Sequence, residues 1–313
     1  MRFLFVIDPL DTLNLATETS LLLIEEMARR GHAAWIATLP DLSLSDQGPR
    51  VRARAITLDL NRRPFYALGA PCDHAFREFD LVLMRKDPPV DAEYIVATFI
   101  LERAALEVPV VNDPVSLRMV NEKLLPLALP QFSPPTLVSN DVARLAAFAA
   151  AQGRIVLKPL DDCSGHGVEF VSGEDAAPAI EAYLVRQGHR HIMAQRFLPG
   201  VAAGDKRILV LAGAPIGAVN RIPRSADALA NIHQGAAVCA TRITERERDI
   251  IAAVKPLLLQ HRLWLAGIDV IDGHLTEINV TSPSAARQIN QVSDAHVERP
   301  IVDFLEGLAS RRH

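Results

Sequence analysis

The sequence predicts an α/β protein, in which an N-terminal parallel-sheet domain is followed by an α+β domain of two subdomains. Two observations lead to this fold class. Over residues 1–122, short apolar strands alternate with helices, which is typical of a parallel sheet. After the proline-rich stretch 126–135, strands follow one another closely enough to pair as antiparallel hairpins. The length of 313 residues is compatible with two or three packed units.

Four apolar segments are the predicted strands of the N-terminal domain, at residues 3–7, 32–38, 81–84 and 108–111. A helix is predicted over residues 19–30, where Gly31 ends it. Right-handed connections between such elements produce a doubly wound parallel sheet, which binds ligands at the carboxyl ends of its strands. Asp8, Arg85 and Asn112 follow predicted strands, so we expect them at these ends.

The second domain is predicted to begin at residue 123, with a central subdomain at about 123–200 and a C-terminal subdomain at about 201–313. Its predicted helices are 142–152, 177–187 and 245–260. Its first predicted strands are 155–159, 168–171 and 192–195, and residues 208–211 and 216–220 are expected to form a hairpin. A last pair of strands follows the helix 245–260.

The composition limits the classes of function. A net charge of -4 gives no reason to expect nucleic acid or an anionic membrane as partner, and 5% aromatic residues weaken a base-stacking role. The three cysteines are far apart and form no disulfide framework, which favours a reducing, cytoplasmic environment. The longest apolar run, 208–219, is too short to span a bilayer. The composition therefore gives no reason to expect nucleic acid or a membrane as partner.

Asp269, Glu277 and Asn279 stand out because they interrupt apolar strand patterns. Glu277 and Asn279 are two residues apart, so both project from one face of a strand. A buried charge without a partner is costly, and oxygen ligands suit a hard cation such as Mg²⁺. The pattern favours a metal site for a nucleotide, with a hydrogen-bonded structural network as the alternative.

The loop between these two strands decides whether Asp269 shares a face with Glu277. With a strict two-residue turn at Asp272-Gly273, Asp269 would pair with Thr276 and point away from Glu277. We therefore predict a loop with an odd number of residues, such as a three-residue loop at 271–273. A two-residue turn would argue against Asp269 as a metal ligand.

Other polar segments carry weaker signals. Lys123 and Lys158 could hold phosphates, although a single lysine is usually a solvated surface residue. The loop 161–167 contains two glycines, which could bring backbone N–H groups close to phosphates, but it fits no established phosphate-binding pattern and is more often a simple hairpin turn. Arg207 could clamp a phosphate or lie in an exposed charged turn.

The histidines and cysteines give little support to zinc or thiol chemistry. His189 and His191 have metal-like spacing, but a surface turn explains them better. Cys163 is interpreted as a small loop residue, and a catalytic role for His233 has no further support.

Taken in order, several segments resemble bacterial glutathione synthetase, a family of the ATP-grasp superfamily. The resemblance covers nearly the whole chain, and it rests on residues 7–9, 84–89, 101–103, 121–124, 157–161, 193–195, 204–207, 221–223 and 275–283. It implies an N-terminal parallel-sheet (pre-ATP-grasp) domain, followed by an ATP-grasp domain that holds ATP between its two subdomains.

The resemblance also implies roles for individual residues. The residues implied for the nucleotide are Lys123, Lys158, Ser164, Gly165, Gln195, Phe197, Leu198, Asp205 and Arg207. Those implied for two Mg²⁺ ions, or Mn²⁺, are Asp269, Glu277 and Asn279. Those implied for substrate are Asp8, Arg85, Arg221, Asn231, Ser282 and Arg287. Arg207, Arg221 and Asn279 would lie nearest the chemistry.

The implied reaction is an ATP-dependent carboxylate–amine ligation. A substrate carboxylate takes the γ-phosphoryl group, and an amine then displaces phosphate from the acyl phosphate. In glutathione synthetase the acid is γ-glutamylcysteine and the amine is glycine. The resemblance further implies a homo-oligomer, a tetramer or a dimer.

Two segments depart from the family pattern. The phosphate-covering loop reads Asp161-Asp-Cys-Ser-Gly165, with fewer glycines than the family's Asp-Gly-x-Gly-Gly. Residues 222–237 lack two arginines of the family, and Arg224 and His233 are candidate replacements. A ligase for another acid or amine, or a nucleotide-binding regulator without catalysis, therefore remains an alternative. We also expect mobility in this second segment.

Overall fold

A computed structural model describes residues 1–59, 64–161, 167–173, 176–223 and 237–311. Its strands form three sheets that follow one another along the chain. The first sheet contains β1 (Arg2–Val6), β2 (Ala33–Ala37), β3 (Leu42–Ser45), β4 (Gly48–Leu58), β5 (Tyr66–Leu68), β6 (Cys72–Ala75), β7 (Leu81–Met84) and β8 (Val110–Val111). Its helices are α1 (Thr19–Arg29), α2 (Ala92–Ala104) and α3 (Pro114–Met119).

The central part has a four-stranded antiparallel sheet in the order β11-β10-β12-β9. Its elements are β9 (Thr136–Ser139), α4 (Val142–Gln152), β10 (Arg154–Pro159), β11 (Glu169–Ser172), α5 (Ala177–Arg186) and β12 (Ile192–Arg196). Helix α4 has the predicted bounds, because Asp141 caps its first turn and Gly153, with a positive φ, ends it.

The C-terminal part has a five-stranded antiparallel sheet in the order β15-β14-β13-β16-β17. Its strands are β13 (Asp205–Leu211), β14 (Ala214–Ile222), β15 (Ala237–Ala240), β16 (Leu265–Ile271) and β17 (His274–Asn279). Its helices are α6 (Glu245–Gln260), α7 (Ala286–Ser293) and α8 (Glu298–Ser310). Helix α6 also has the predicted bounds, and Thr244 and Glu247 form a capping box at its start.

The N-terminal sheet is only partly the parallel sheet that the sequence predicts. Strand β1 runs parallel to β2 and β7, and β7 runs parallel to β8. Residues 42–75 instead form the strands β3 to β6, of which β4 is antiparallel to β2 and to the other three. These strands were not predicted, because β3 is mostly exposed and β4 alternates buried and exposed residues, so neither contains a continuous apolar run.

Helices cover both faces of the parallel strands. On one face, Leu4 and Val82 pack in a cluster with Leu101 of α2. On the other face, Phe5 and Leu83 pack with residues of α1 and α8. The last helix of the chain therefore completes the core of the N-terminal sheet. The predicted division at residues 122 and 123 stays a prediction about chain organisation.

The described helices were also compared with the requirements for crossing a bilayer. None of them is both long enough and apolar enough to span a membrane.

Candidate active site

The hairpin β16–β17 has a two-residue turn, so the predicted odd loop is wrong. Ile271 pairs with His274, and both turn residues, Asp272 and Gly273, have positive φ angles of 51° and 70°. Asp269 nevertheless pairs with Glu277, because the ladder shifts by one residue between Asp269 and Val270. This β-bulge places an extra residue in β17 and restores the shared face. The two-residue turn consequently does not exclude Asp269 as a ligand.

The carboxylate of Asp269 is the centre of a buried charge network. Arg207 donates to it with two nitrogens, from Nε to Oδ1 and from Nη2 to Oδ2, the latter over 2.8 Å. Nη2 of Arg221 lies 3.0 Å from Oδ1, and Nδ2 of Asn279 donates to Oδ2 over 3.2 Å. All four acceptor positions of the carboxylate are therefore in use. The structural network that we considered as an alternative is present here.

Register explains why these side chains meet. Arg207 of β13 lies opposite Asp269 of β16, which lies opposite Glu277 of β17. Asp205, two residues before Arg207, shares its face and pairs with Arg221 of β14. One face of four neighbouring strands thus carries both positive and negative groups, with the arginines on β13 and β14 and two carboxylates on β16 and β17.

Burial and these ion pairs shift the pKa values of the network. Burial would raise the pKa of Asp269, but the guanidinium groups of Arg207 and Arg221 outweigh it and hold the pKa at about 2. Burial raises the pKa of Asp205 to about 6, although Arg221 opposes the shift. Oδ2 of Asp205 accepts from Arg221 over 2.6 Å, whereas its Oδ1 is buried without a hydrogen-bond partner among the described residues.

Gly267 makes room for the guanidinium group of Arg207. A Cβ atom at Gly267 would lie 3.0 Å from Cδ and 3.3 Å from Nε of Arg207. The absence of a side chain there lets Arg207 lie flat across the sheet. Its Nη1 also donates to the carbonyl of Ser284 over 3.4 Å, which links the network to the chain that follows β17.

Lys123 faces the same sheet from the segment before the central domain. Its Nζ lies 3.5 Å from Oε1 of Glu277. The preceding residue, Glu122, had no predicted role, yet it holds the chain after β17 in place. Its Oε1 accepts from the backbone N–H groups of Val280 over 2.6 Å and Thr281 over 2.8 Å. The apolar pattern gives no signal for this contact, because residues 158 positions apart make it.

Lys158 and Gln195 are joined on the central sheet. Nζ of Lys158 donates to Oε1 of Gln195 over 2.9 Å, and Gln195 donates to Thr136 over 3.1 Å. Burial lowers the pKa of the Lys158 ammonium group, and the carboxylate of Glu277 acts against that shift. Lys158 is therefore close enough to the acidic network to sense its charge. The side chain of Gln195 is used to position this lysine.

Phe197 and Leu198 follow Gln195 at the end of β12. The backbone N–H of Phe197 donates to the carbonyl of Arg154 over 2.9 Å, and the guanidinium carbon of Arg154 lies 4.1 Å from its ring centroid. Leu198 is buried. Both residues lie at the connection between the central and C-terminal sheets.

A second group of predicted site residues lies at the carboxyl ends of β1 and β7. Arg85 donates from Nε to Oγ of Ser20 over 3.2 Å and from Nη2 to the carbonyl of Pro283 over 3.0 Å. Asp8 accepts from the backbone of Asp87 over 2.9 Å, and its Oδ1 lies 2.9 Å from Nζ of Lys86. Here the N-terminal sheet meets the chain that follows β17.

Ser282 and Arg287 belong to the same region. Ser282 lies near Asp87 and lowers the pKa of its carboxyl group. Arg287 donates to the carbonyl of Glu18 over 3.1 Å and to Oε2 of Glu25 over 2.7 Å. The structure therefore brings together the four described substrate residues other than Arg221, which lies in the Asp269 network. Asp87, in the segment 84–89, also belongs to this group, although no role was predicted for it.

Asn112 occupies the predicted strand end but is used for structure. Its Nδ2 donates to the carbonyls of Leu265 and Val280 over 2.8 and 2.6 Å, and its Oδ1 accepts from the N–H of Leu265 over 3.0 Å. The side chain therefore acts as a peptide group that joins the N-terminal sheet to β16 and β17. We had expected a residue available to a ligand.

Some predictions fall outside the described residues or concern residues elsewhere. Ser164, Gly165 and Asn231 lie outside the described residues, as do Cys163, Arg224 and His233 and most of the segment 222–237. His189 has a positive φ of 55° in an exposed turn, which agrees with its interpretation as a surface residue.

The oxygen donors on the sheet fit a hard divalent cation. Asp269, Glu277 and Asn279 offer carboxylate and amide oxygens from one face, and the free Oδ1 of Asp205 lies beside them. Since Asp269 has no free acceptor position, a cation bound to it displaces at least one hydrogen-bond donor. The residue types therefore suit Mg²⁺, provided that the network rearranges locally.

Comparison with known families identifies the chain's relatives. The model described as "Prokaryotic glutathione synthetase, N-terminal domain" matches residues 1–118, and "Prokaryotic glutathione synthetase, ATP-grasp domain" matches residues 122–294. The chain belongs to the prokaryotic glutathione synthetase family. It is an ATP-dependent ligase of the glutathione synthetase type, and the family uses ATP together with a divalent metal.

Curated relatives and solved structures agree with this assignment. Glutathione synthetase from Parasynechococcus marenigrum is 42% identical over 307 residues, which is 97% of this chain and 97% of the relative. The Gloeobacter violaceus enzyme is 39% identical over 312 residues, covering 97% and 96%. A crystal structure of D-cycloserine synthetase has a TM-score of 0.69 at 17% identity, covering 99% and 100%, and shares the ATP-grasp fold.

Proposed function

We propose that the chain joins γ-glutamylcysteine to glycine, with cleavage of ATP to ADP and phosphate. The single observation that carries the proposal is the row Arg207, Asp269 and Glu277 across three strands, with Lys123 facing it. Asp269 and Glu277 offer oxygen ligands for the metal ion that accompanies a nucleotide, and Arg207 and Lys123 offer positive charges for the nucleotide's phosphates. Family membership and relatives at about 40% identity support the choice of substrates.

Lys123 and Lys158 are proposed to hold the phosphates of ATP. Both ammonium groups lie near Glu277, which keeps them close to the proposed metal site. Gln195 orients Lys158, so its contribution to nucleotide binding is indirect through that lysine. Phe197 and Leu198 are proposed to line the adenine pocket at the connection between the two sheets. Ser164 and Gly165 keep their proposed phosphate role by resemblance alone.

Asp269, Glu277 and Asn279 are proposed to hold two Mg²⁺ ions, with Mn²⁺ as an alternative. When bound, such ions neutralise the charge that accumulates on the transferred phosphoryl group. The chain's own contribution is to orient the three ligands. Arg207 fixes the carboxylate of Asp269 with two hydrogen bonds, so that its position is set by the sheet rather than by the nucleotide.

Arg221 is proposed to act on the carboxyl group that reacts. It lies at the edge of the network, where it contacts Asp205 and Asp269. Both carboxylates raise its pKa against the effect of burial, so the guanidinium group keeps its charge. A fixed cation there can bind the substrate carboxylate and then stabilise the oxyanion that forms when the amine attacks. Arg207 and Asn279 support this function by orienting Asp269.

The remaining substrate contacts are proposed for Asp8, Arg85, Ser282 and Arg287 at the N-terminal sheet, and for Asn231. Ser282 is three residues from Asn279, and the carbonyl of the next residue, Pro283, accepts from Arg85, so one segment after β17 joins the proposed metal ligands to these substrate contacts. We also infer that the enzyme acts in the cytoplasm as a homodimer or homotetramer. Analytical ultracentrifugation of the purified chain tests the assembly, and a monomer at micromolar concentration would contradict it.

A coupled assay tests the proposed reaction. The protein is incubated with ATP, Mg²⁺, γ-glutamylcysteine and glycine, and both phosphate and product mass are measured. We expect phosphate and glutathione in equal amounts, and neither after chelation of the metal. Turnover only with another acid–amine pair would replace the substrates. ATP binding without phosphate release across a broad panel would identify a regulator.

Lys158→Ala provides a residue-level check. Loss of a charged hydrogen bond to phosphate is expected to raise the KM for ATP about ten- to hundredfold. Lys255→Ala, at an exposed position of α6, is the matched control and should leave the KM unchanged. Equal values for both variants would remove Lys158 from the nucleotide site.

A further inference from the structure

Two buried donor groups near the N-terminal sheet have nothing to bind. Among the described residues, Nη1 of Arg85 and the hydroxyl of Tyr94 are buried without a hydrogen-bond partner. Arg85 is 4% exposed and Tyr94 is 0% exposed. Buried donors of this kind carry a desolvation penalty that a ligand can remove.

The two donors face the same region. The charges that act on the Tyr94 hydroxyl come from Glu122, Arg85 and Asp87, and Arg85 in turn senses Asp87 and Tyr94. Helix α2 carries Tyr94 and the end of β7 carries Arg85, while Pro283 and Ser282 approach from the chain after β17. The three segments converge on Asp87.

Asp87 supplies a negative charge with no cation of its own. Among the described residues, no Lys, Arg or His nitrogen forms an ion pair with its carboxylate. Lys86 is directed elsewhere, with Nζ 2.9 Å from Oδ1 of Asp8 and 2.5 Å from the backbone carbonyl of Asp87. Burial and the nearby carboxylate of Glu18 together raise the pKa of Asp87 to about 6, although Ser282 and Arg85 oppose the shift. A positively charged ligand would relieve both effects.

Donors without partners, beside a carboxylate that forms no ion pair among the described residues, match a ligand that carries a positive and a negative group close together. An α-amino acid end has this chemistry, since one carbon carries an ammonium and a carboxylate. We propose that Asp87 accepts hydrogen bonds from the ammonium group at the glutamyl end of the acid substrate, and that Arg85 Nη1 and the Tyr94 hydroxyl donate to its α-carboxylate. The identity of the substrate rests on the proposed function.

Calorimetry with the full chain, Mg²⁺ and a non-hydrolysable ATP analogue tests the assignment. The two ligands are γ-glutamylcysteine and glutarylcysteine, which has the same chain without the amine. For the unmodified protein, we expect Kd to be at least about tenfold lower for the amine ligand, because a charged hydrogen bond is lost with the analogue. In Asp87→Asn the ratio of the two Kd values should fall to about threefold or less.

Two further variants distinguish the proposed contacts from a general effect of substitution on ligand binding. Glu93→Gln removes an exposed charge beside Tyr94 and should keep the full ratio. Tyr94→Phe should weaken both ligands about threefold to tenfold, since both carry the carboxylate. Its Tm should not fall, because the hydroxyl has no protein partner to lose.

The outcomes are distinct from those for the overall reaction. A full amine preference in Asp87→Asn, or no binding of either ligand to the unmodified protein, would overturn the assignment. Glutathione formation is measured separately. Formation of glutathione without amine discrimination refutes this site only, whereas discrimination without glutathione refutes the proposed reaction only.

Discussion

Asp269 balances two guanidinium groups that are almost completely removed from water. Arg207, Arg221 and Asp269 are 7%, 5% and 4% exposed, respectively. Two buried cations can lie side by side only because a carboxylate lies between them. At the scale of single residues, the candidate site is therefore also a component of the fold's stability.

Asp269→Asn is expected to lower the free energy of unfolding by about 3–5 kcal/mol, because it leaves the buried Arg207 without a carboxylate partner and Arg221 with Asp205 alone. Urea denaturation measures the change. Asp249→Asn, at an exposed position of α6, is the control and should stay within about 0.5 kcal/mol. A loss below about 1 kcal/mol for Asp269→Asn would show that the arginines are satisfied in another way.

Replacement of Asp87 is expected to have the opposite effect, because removal of its charge should stabilise the folded protein. Burial raises the pKa of Asp87 from the ordinary value of 3.8 to about 6, so its ionised form costs stability, and that cost is complete above pH 6. Below pH 3.8 both states bind the proton and the cost disappears. We therefore expect Asp87→Asn to raise Tm at pH 7.5, and the gain to shrink as the pH falls towards 4.

Thermal unfolding at several pH values checks this dependence in the absence of ligand. Glu93→Gln again serves as the control, since its exposed side chain should give no pH-dependent gain. A lower Tm for Asp87→Asn at pH 7.5 would mean that the carboxylate already has a stabilising partner.

At the scale of elements, the hairpin β16–β17 shows where pattern analysis fails. Strand alternation correctly placed Glu277 and Asn279 on one face. Asp269 lies on the predicted face, opposite Glu277, but the predicted odd loop is wrong, because the turn has two residues. The bulge supplied the missing residue, and sequence periodicity alone cannot locate a bulge because it depends on pairing with the neighbouring strand.

Gly273→Ala tests the turn. Gly273 has a φ of 70°, and an alanine there is expected to cost about 1–2 kcal/mol. Gly307→Ala is a matched control within α8, where no atom lies within 4 Å of the added Cβ. Helix propensity predicts a gain of about 0.5–1 kcal/mol at that position. Equal effects in urea denaturation would contradict the left-handed turn.

At the scale of the molecule, α8 ties the end of the chain to its beginning. Ile301, Val302 and Leu305 pack in the same cluster as Phe5 of β1. Nη1 of Arg30, just after α1, lies 3.0 Å from Glu306 of α8. The N-terminal sheet is therefore not complete until the last helix has folded.

This connection predicts a single unfolding transition. Trp35 packs in the core of the N-terminal sheet, and Trp264 lies against Phe304 of α8. The variant Trp264→Phe retains Trp35 as its fluorescent reporter, and Trp35→Phe retains Trp264. We expect their urea transitions to coincide. Leu305→Ala should shift both together, by about 2–5 kcal/mol for a buried leucine. Separate transitions would indicate independent domains.

The sequence by itself determined the fold class and several helix boundaries, and it suggested most members of the candidate site, because periodicity, caps and residue chemistry are local properties. Tertiary structure decided the partners. It placed Arg207 and Arg221 on Asp269, used Asn112 to join two sheets, and left Asp87, Tyr94 and Arg85 with unmatched groups around one position. Such pairings depend on register, on a bulge and on residues far apart in the chain, and only the folded molecule brings them within hydrogen-bonding distance.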